Sequence, residues 1–340
     1  MEKYSEQHLR NKITIIAFIL SLIVIQTHAT NLESYDITGM ETDIFSRLTY
    51  FVEDFEVAIR PLVLVNFMFI SGFLLFRTFS WDKLKSKLLS RARTLLIPYI
   101  IWATIYYLVF AIVPMIPVLS GLITGVHSEL SFMGWIRALW VDEYYTLWFL
   151  KLLIIYTALC PLWYLILRDV RGIPTGLILI AIVIVLKWFG YGTFFRNIEA
   201  YMIGAWIGIN HREWPLIKNK WFTLISFIYI FVSVVIFRSC YANEQTNLLL
   251  IPAVWFAVDP FIPEVKLPDW MSLTFFFYVA HGLFLDLFEK ILLRLTGPRP
   301  IWALIDFMCM PAFVVFVLVM ISKFMKRFMP PVWRVLSGDR

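Results

Sequence analysis

The residue with the clearest chemical potential is a histidine, His28, which follows a long apolar segment. Residues Ile13–Val24 are almost entirely apolar, and the polar pair Gln26 and Thr27 directly precedes the histidine. Histidine is the side chain best suited to exchange a proton near neutral pH, so it can act as a general base towards a hydroxyl group. The structural alternative is a histidine whose hydrogen bonds are satisfied at a membrane interface.

Two further pairs of ionisable residues occur in apolar segments. Arg196 and Glu199 are three residues apart, so on one helix face they can pair, or the arginine can hold a carboxylate, phosphate or oxyanion. His281 and Asp286 form an H-x4-D pattern, but a five-residue step turns a helix by about 140°, which points the two side chains apart. His281 therefore stands as a second candidate histidine without a local acidic partner.

Other charged residues lie within apolar segments, where a charge is costly and function is the usual interpretation. These residues are Arg60, Lys151, Lys187, Asp259 and Asp306. For Arg60, Lys187 and Asp259, which lie near predicted segment ends, we favour side chains that extend to the membrane surface.

The composition predicts that these residues are positioned by membrane helices. The 340 residues are 60% hydrophobic and 16% charged, against about 45–50% and 25% in soluble domains. The excess occurs as runs of about 17–23 residues, which span a bilayer as helices because lipid cannot satisfy backbone polar groups. We predict an all-α integral membrane protein with about ten transmembrane helices, forming one membrane domain over residues 1–340 without a soluble domain.

The distribution of charge predicts the topology. Lys and Arg cluster between apolar runs, which places those loops and both termini in the cytoplasm, whereas the acidic residues 31–59 lie outside. Lys290, Arg294 and Arg299 are the exception, since they fall outside in this arrangement. The first apolar segment could instead be a signal peptide cleaved after Ala29. The predicted spans are Ile13–Thr30, Arg60–Phe76, Thr94–Leu119, Thr146–Leu167, Ile173–Phe189, Phe194–Asn210, Trp221–Phe237, Thr246–Ile262, Ser272–Leu293 and Trp302–Ser322.

Several function classes are not indicated. The net charge of +6 follows from the basic loops, so nucleic-acid binding is not predicted. The three cysteines are far apart in the sequence, which favours neither a metal site nor disulfides. The chain contains no P-loop, G-x-G-x-x-G, G-x-S-x-G or H-E-x-x-H pattern. We therefore predict no bound metal and no bound cofactor.

Five short segments accompany His28 in a characteristic order. They are Phe69–Leu75 (FISGFLL), Arg91–Trp102 (RARTLLIPYIIW), Leu147–Leu150 (LWFL), Arg196 followed by Gly204, and Tyr278–His281 (YVAH). Together with His28, they resemble the acyltransferase-3 family of bacterial membrane O-acyltransferases, over nearly the whole chain.

The resemblance implies an acyltransferase that transfers groups other than aminoacyl groups. Members move an acyl group, usually acetyl, from acyl-CoA to a hydroxyl of a surface polysaccharide or lipid-linked glycan, within the bacterial plasma membrane. The expected catalytic residues are His28, Arg196 and His281. The expected partners are acyl-CoA, the carbohydrate acceptor and membrane lipid.

A basic segment suits the donor in this interpretation. Lys85, Lys87, Arg91 and Arg93 lie at the predicted inner face, and acyl-CoA is anionic and cytoplasmic. Arginine recognises phosphate well, so these four residues are candidates for binding the donor. The positive-inside rule alone would also account for them.

One position departs from the family pattern. The family often has an arginine eleven residues before its histidine, but Ala17 stands there, and the nearest basic residues are Arg10 and Lys12. Either one of these substitutes for the arginine, or the chemistry at the first span is altered. Two alternatives stay open: a transporter or flippase of a lipid-linked glycan, against which no inverted repeat is visible, and an inactive member with an assembly role.

Overall fold

The computed structural model describes residues 4–38, 42–117, 130–140, 146–189, 197–213, 216–236 and 248–339. Within these ranges the chain is helical and contains no named β-strand, so the all-α prediction is confirmed. The α-helices are α1 (Glu6–Thr27), α2 (Ile44–Ile59), α3 (Pro61–Arg77), α4 (Leu84–Arg91), α5 (Ile97–Ile112), α6 (Phe132–Trp140), α7 (Trp148–Ala158), α8 (Cys160–Leu167), α9 (Thr175–Trp188), α10 (Ile198–Asn210), α11 (Lys220–Phe231), α12 (Leu250–Ala257), α13 (Thr274–Thr296), α14 (Pro300–Phe328) and α15 (Pro330–Leu336).

Some of these helices have the length and apolarity needed to cross a bilayer. In the described part of the chain, four continuous stretches qualify: Glu6–Thr27, Ile44–Arg77, Trp81–Met115 and Pro300–Phe328. A fifth is obtained if α7 and α8, which are bent by 64°, count as one span. The membrane character is thus confirmed, whereas the count of ten spans and the side of each terminus stay predictions.

The basic segment before Thr94 is largely helical, whereas the sequence predicted a loop before the third span. A 3-10 turn, α4 and a π-helical turn at Ala92–Leu96 join it to α5, and the helical stretch ends at Met115. Pro98 lies in the first turn of α5, where its missing N–H is not needed, and Pro114 lies in the 3-10 turn that ends the stretch.

The chain forms two compact units, each assembled from distant parts of the sequence. Unit 1 comprises Met1–Leu20, Ala58–Arg91 and Leu152–Met271, and unit 2 comprises Ser21–Val57, Ala92–Lys151 and Ser272–Arg340. The single domain expected from the sequence stays a prediction.

In unit 1, α3 and α10 are in direct backbone contact. A Cβ atom added at Gly72 would lie 2.3 Å from the carbonyl oxygen of Tyr201, and one added at Gly204 would lie 2.1 Å from that of Phe69. Only glycine permits this approach, and small residues commonly mediate such contacts between membrane helices. Two segments that resemble the family pattern, FISGFLL and the segment containing Gly204, therefore pack on each other.

In unit 2, α5 and α15 pack against α13. The indole Nε1 of Trp102 donates to the carbonyl oxygen of Leu336 at 3.0 Å, and the hydroxyl of Tyr106 donates to that of Val279 at 3.1 Å. The rings of Phe276 and Trp333 meet edge to face, with centroids 5.0 Å apart. These contacts fix the part of α13 that contains His281.

Candidate functional site

The side chain of Gln26 anchors the turn that carries His28 to α14. The amide Nε2 of Gln26 donates to the carbonyl oxygen of Phe307 at 2.7 Å. Pro311 lies four residues further along α14 and has no N–H, so the carbonyl of Phe307 lacks its usual helical donor. Gln26 therefore supplies the hydrogen-bond donor that Pro311 cannot provide.

Two buried carboxylates of α2 hold the same turn from another direction. The hydroxyl of Thr27 donates to Oε1 of Glu56, and the backbone N–H of Asn31 donates to Oε1 of Glu53 at 3.0 Å. Glu53 and Glu56 are three residues apart, so they lie on one face of α2. Helix α2 of the acidic segment therefore binds residues on both sides of His28, Thr27 and Asn31.

Asn31 also bonds to α14. Its amide Nδ2 lies 3.1 Å from the carbonyl oxygen of Ala303 and 3.1 Å from Oδ2 of Asp306. Close to Asp306, the pKa of Tyr35 is raised, mainly by burial and further by the negative charges of Asp306 and Glu289. The phenol of Tyr35 therefore stays protonated at physiological pH. The turn from Gln26 to Asn31 is thus fixed by two helices of unit 2, α2 and α14.

His281 lies on α13 and is fully buried. Its Nδ1 is 3.0 Å from the carbonyl oxygen of Phe277, and because a carbonyl only accepts, this nitrogen carries the proton. The other nitrogen, Nε2, then has a free lone pair, and it is buried without a hydrogen-bond partner among the described residues. Asp286 is not a partner of the ring, as the five-residue spacing predicted.

The two candidate histidines are neighbours. The rings of His28 and His281 have centroids 5.2 Å apart and an interplanar angle of 33°. His28 is half-buried, whereas His281 is buried. The sequence named both residues as catalytic candidates, and the structure brings them together at the end of α1.

The wall beside His281 is aromatic. The rings of Tyr278 and Phe149 meet edge to face with centroids 5.7 Å apart, and the hydroxyl of Tyr278 donates to the carbonyl oxygen of Thr146. The hydroxyl of Thr146 donates to that of Tyr106 at 3.2 Å. The LWFL and YVAH segments, which resemble the family pattern, therefore contact each other next to the histidine pair.

The four basic residues predicted to bind the donor are divided between the units. Lys85, Lys87 and Arg91 lie on α4 in unit 1, and Arg93 lies on the π-helical turn in unit 2. Lys87 and Arg91 are four residues apart and share one helix face. Lys85 and Arg93 are exposed, whereas Lys87 and Arg91 are half-buried.

Arg196 lies outside the described residues. Glu199, which the spacing would pair with Arg196, forms an ion pair with Lys187 of α9, with Nζ and Oε1 2.6 Å apart. The prediction that Lys187 extends to the membrane surface is therefore wrong. Arg60 is exposed at the break between α2 and α3, and its extension to the membrane surface stays a prediction. Lys151 donates from Nζ to the carbonyl oxygen of Trp140 at 2.9 Å.

A second prediction about segment ends is also wrong. Asp259 is buried in unit 1, and its Oδ1 lies 2.6 Å from Nζ of Lys12, which is buried as well. Lys12, one candidate to substitute for the arginine missing at Ala17, is thus engaged in an ion pair of its own unit. The sequence offered no signal for this pair because its members are far apart along the chain.

No group of three or more His, Cys, Asp and Glu side chains that could hold a metal ion occurs within the described ranges. The histidine pair can exchange protons, and the surrounding hydrogen bonds fix its position. This arrangement suits general acid–base chemistry on a substrate hydroxyl.

The chain matches the model of a known protein family. The acyltransferase-3 family model, described as an acyltransferase domain, matches residues 11–323. This range includes both histidines and every segment of the resemblance. No match was found among curated proteins or among solved structures.

Proposed function

The chain belongs to the acyltransferase-3 family, and from this premise we propose that it is a multi-pass O-acyltransferase of the bacterial plasma membrane. It moves an acyl group, most simply acetyl, from acyl-CoA to a hydroxyl of a surface polysaccharide or lipid-linked glycan. The observation that carries this proposal is the anchored His28 beside the buried His281, in a chain that matches the family over residues 11–323.

In the proposed reaction, neutral His28 takes the proton of the acceptor hydroxyl as its oxygen attacks the thioester carbonyl carbon. The new C–O bond forms and the C–S bond breaks. The protonated His28 then gives its proton to the departing thiolate of CoA, which leaves as a thiol. The histidine returns to its neutral form, and a general base of this kind typically contributes about 10²–10⁴-fold in rate.

His281 has a distinct role in this scheme. Because its Nδ1–H is held by the carbonyl of Phe277, its Nε2 can only accept. A neutral acceptor next to His28 stabilises the proton that His28 takes up during the reaction. The buried ring of His281 does not need to become charged itself.

The donor site is proposed to include Lys85, Lys87, Arg91 and Arg93. The phosphates of acyl-CoA require cations, and guanidinium groups bind phosphate through paired hydrogen bonds. The position of Arg91 on the same face of α4 as Lys87 supports such a role, because it places two cations side by side. Arg196 stays a proposed catalytic residue that holds an anionic group.

Contacts inside each unit support the proposed ten-span topology with cytoplasmic termini. In unit 1, the backbone N–H of Tyr4 donates to the carbonyl oxygen of Leu216 at 2.8 Å, and Nδ2 of Asn11 donates to that of Pro263 at 2.6 Å. All four residues fall on the cytoplasmic side in that arrangement. In unit 2, Asn31 bonds to the beginning of α14, and both fall on the outer side.

Labelled acyl transfer tests the proposal. Proteoliposomes with the wild-type protein, a lipid-linked glycan fraction and acetyl-CoA labelled in its acetyl group should form a base-labile ester on the glycan and release CoA. His28→Ala, at matched protein levels, should form little ester. Movement of glycan across the bilayer without release of CoA would instead identify a flippase. A lack of both activities with all acyl-CoA donors would favour the assembly role.

A further inference from the structure

Four ionisable residues of unit 1 form a continuous chain that the acyl-transfer proposal does not use. Nζ of Lys12 lies 2.6 Å from Oδ1 of Asp259, and Nε2 of His8 lies 3.5 Å from the same oxygen. Nδ1 of His8 lies 3.1 Å from Oε1 of Glu264. Each nitrogen of the imidazole therefore faces a different carboxylate.

This series of four ionisable side chains runs from the interior of unit 1 to its surface. The side chains of Lys12, Asp259 and His8 are 0%, 2% and 3% exposed, whereas that of Glu264 is 67% exposed. His8 is thus the link between a buried ion pair and a carboxylate in contact with solvent. An imidazole with an acceptor on each side can take a proton on one nitrogen and release one from the other.

Attachment of α1 to the segment after α12 does not require these charges. Nδ2 of Asn11 already donates to the carbonyl oxygens of Pro263 and Val265, at 2.6 and 2.9 Å. A buried ion pair is weak evidence for stability, because well-packed apolar residues of similar volume often serve as well. Ionisable groups in membrane helices are functional by default, and chains of Asp, Glu and His are typical of proton relays.

At the buried end of this series of four residues, Asp259 can accept a further proton. Oδ2 of Asp259 is buried without a hydrogen-bond partner among the described residues. Nζ of Lys12 lies 4.6 Å from the centroid of the Trp255 ring. One carboxylate oxygen of the ion pair therefore remains available as a hydrogen-bond acceptor. The indole ring of Trp255 lies next to the ammonium group of Lys12.

We propose that Lys12, Asp259, His8 and Glu264 form a proton relay between the interior of unit 1 and the aqueous phase. On release, the ammonium of Lys12 gives a proton to Asp259, which protonates Nε2 of His8. His8 then passes its Nδ1 proton to Glu264, which gives it to water. One proton leaves Lys12 and one reaches the solvent, and uptake follows the reverse order.

Other charged groups around the relay belong to separate pairs or to the surface. On α1 they are Glu6, paired with Arg77 of α3, and Arg10. Lys218 lies over the ring of Tyr4, which stacks on His8. Lys266 is paired with Asp269. None of these interrupts the contacts from Lys12 to Glu264.

The test uses Trp255 as a reporter and does not depend on acyl transfer. The purified full-length protein in lipid nanodiscs is mixed from about pH 6 to about pH 10, a range in which histidine and lysine ordinarily titrate. Subtracting the trace of Trp255→Phe isolates the fluorescence change of this indole. Loss of the Lys12 charge should change its emission, and Lys12→Met should abolish that change.

His8→Gln should slow this relaxation at least about 10-fold, because an amide hydrogen-bonds but cannot pass a proton. Glu264→Gln changes only an exposed side chain, so it spares the fold, and it should slow the relaxation as well. Glu6→Gln, an exposed carboxylate of the same helix outside the relay, is the control and should relax at the wild-type rate. Wild-type rates in both relay variants, or a signal that survives Lys12→Met, would overturn the proposal.

Discussion

The ionic chain of unit 1 and the histidine pair of unit 2 use buried ionisable residues in opposite ways. In unit 1, the buried cation of Lys12 lies against the carboxylate of Asp259, and His8 lies between two carboxylates. In unit 2, Nδ1 of His281 is held by a neutral carbonyl, its Nε2 has no hydrogen-bond partner among the described residues, and the ring of His28 lies beside it. The first arrangement balances charge within the protein, whereas the second leaves an acceptor open beside His28.

This difference separates groups that carry protons from groups that act on a substrate. A buried charge is costly without an opposite charge beside it, because desolvation costs several kcal/mol per ion. A neutral imidazole needs no such partner, so it can keep one nitrogen available for a reaction. We therefore expect substitutions in the two clusters to act on different properties, stability in unit 1 and turnover in unit 2.

The largest expected effect on stability follows from removing one member of the ion pair. Asp259→Ala should lower the free energy of unfolding by about 3–5 kcal/mol, because it leaves the charge of Lys12 buried without its carboxylate. His281→Phe, which replaces one buried ring by a somewhat larger one in unit 2, should cost less, about 1–3 kcal/mol. Chemical unfolding in detergent measures both values.

The double variant Lys12→Met with Asp259→Leu sharpens the comparison. It removes both charges, so it should be much more stable than Asp259→Ala alone. Equal losses in Asp259→Ala and His281→Phe would show that the two clusters do not differ in the way described.

The next effect concerns the donor and leaves both clusters intact. Arg91→Ala and Arg93→Ala should each raise the KM for acyl-CoA by roughly 10- to 100-fold, since a charge-assisted hydrogen bond is worth about 1.5–3 kcal/mol. Steady-state kinetics with purified protein measures this change, and Arg212→Ala, at an exposed basic position without an assigned role, is the control. Wild-type kinetics in both variants would mean that these arginines serve the topology only.

The pH dependence distinguishes the two histidine-containing clusters by turnover. His28 acts in its neutral form, so turnover should fall towards acid pH, approaching about tenfold per pH unit once the protonated form predominates. His8→Gln should keep the same acid limb if the relay and the site are independent. A turnover that stays constant or rises as the pH drops would contradict a neutral base.

The smallest expected effect tests how the His28 turn is anchored. Gln26→Leu should cost about 1–3 kcal/mol, because the carbonyl of Phe307 loses its donor. Pro311→Ala restores a backbone N–H for that carbonyl, so Gln26→Leu should cost less in the Pro311→Ala background. A double-mutant cycle measures this coupling, and strictly additive losses would show that the proline and the glutamine act separately.

The sequence predicted the elements of the site better than their contacts. The all-helical fold and the position of His28 at the end of the first apolar helix followed from hydropathy and local polarity, which act over neighbouring residues. The pairing of Glu199 with Lys187, and of Lys12 with Asp259, joins different helices, so no local spacing indicates it. The spacing of Arg196 and Glu199 suggested a partner on the same helix.

The role of Pro311 illustrates the same limit. A proline inside a long apolar helix is visible in the sequence, and it predicts a free carbonyl four residues earlier. The side chain that uses this carbonyl, Gln26, comes from the far end of the chain. Likewise, Glu53 and Glu56 were visible only as part of an acidic outer segment, because their hydrogen bonds to Asn31 and Thr27 depend on how α2 packs.

The central claim is that His28 removes the acceptor proton, and the turnover of His28→Gln tests it most directly. Glutamine keeps a polar side chain that can hydrogen-bond but cannot accept the proton, so kcat should fall about 10²-fold or more while the protein reaches wild-type levels in the membrane. A kcat within a few-fold of wild type at matched levels would contradict the account and would make His281 the next candidate for the base.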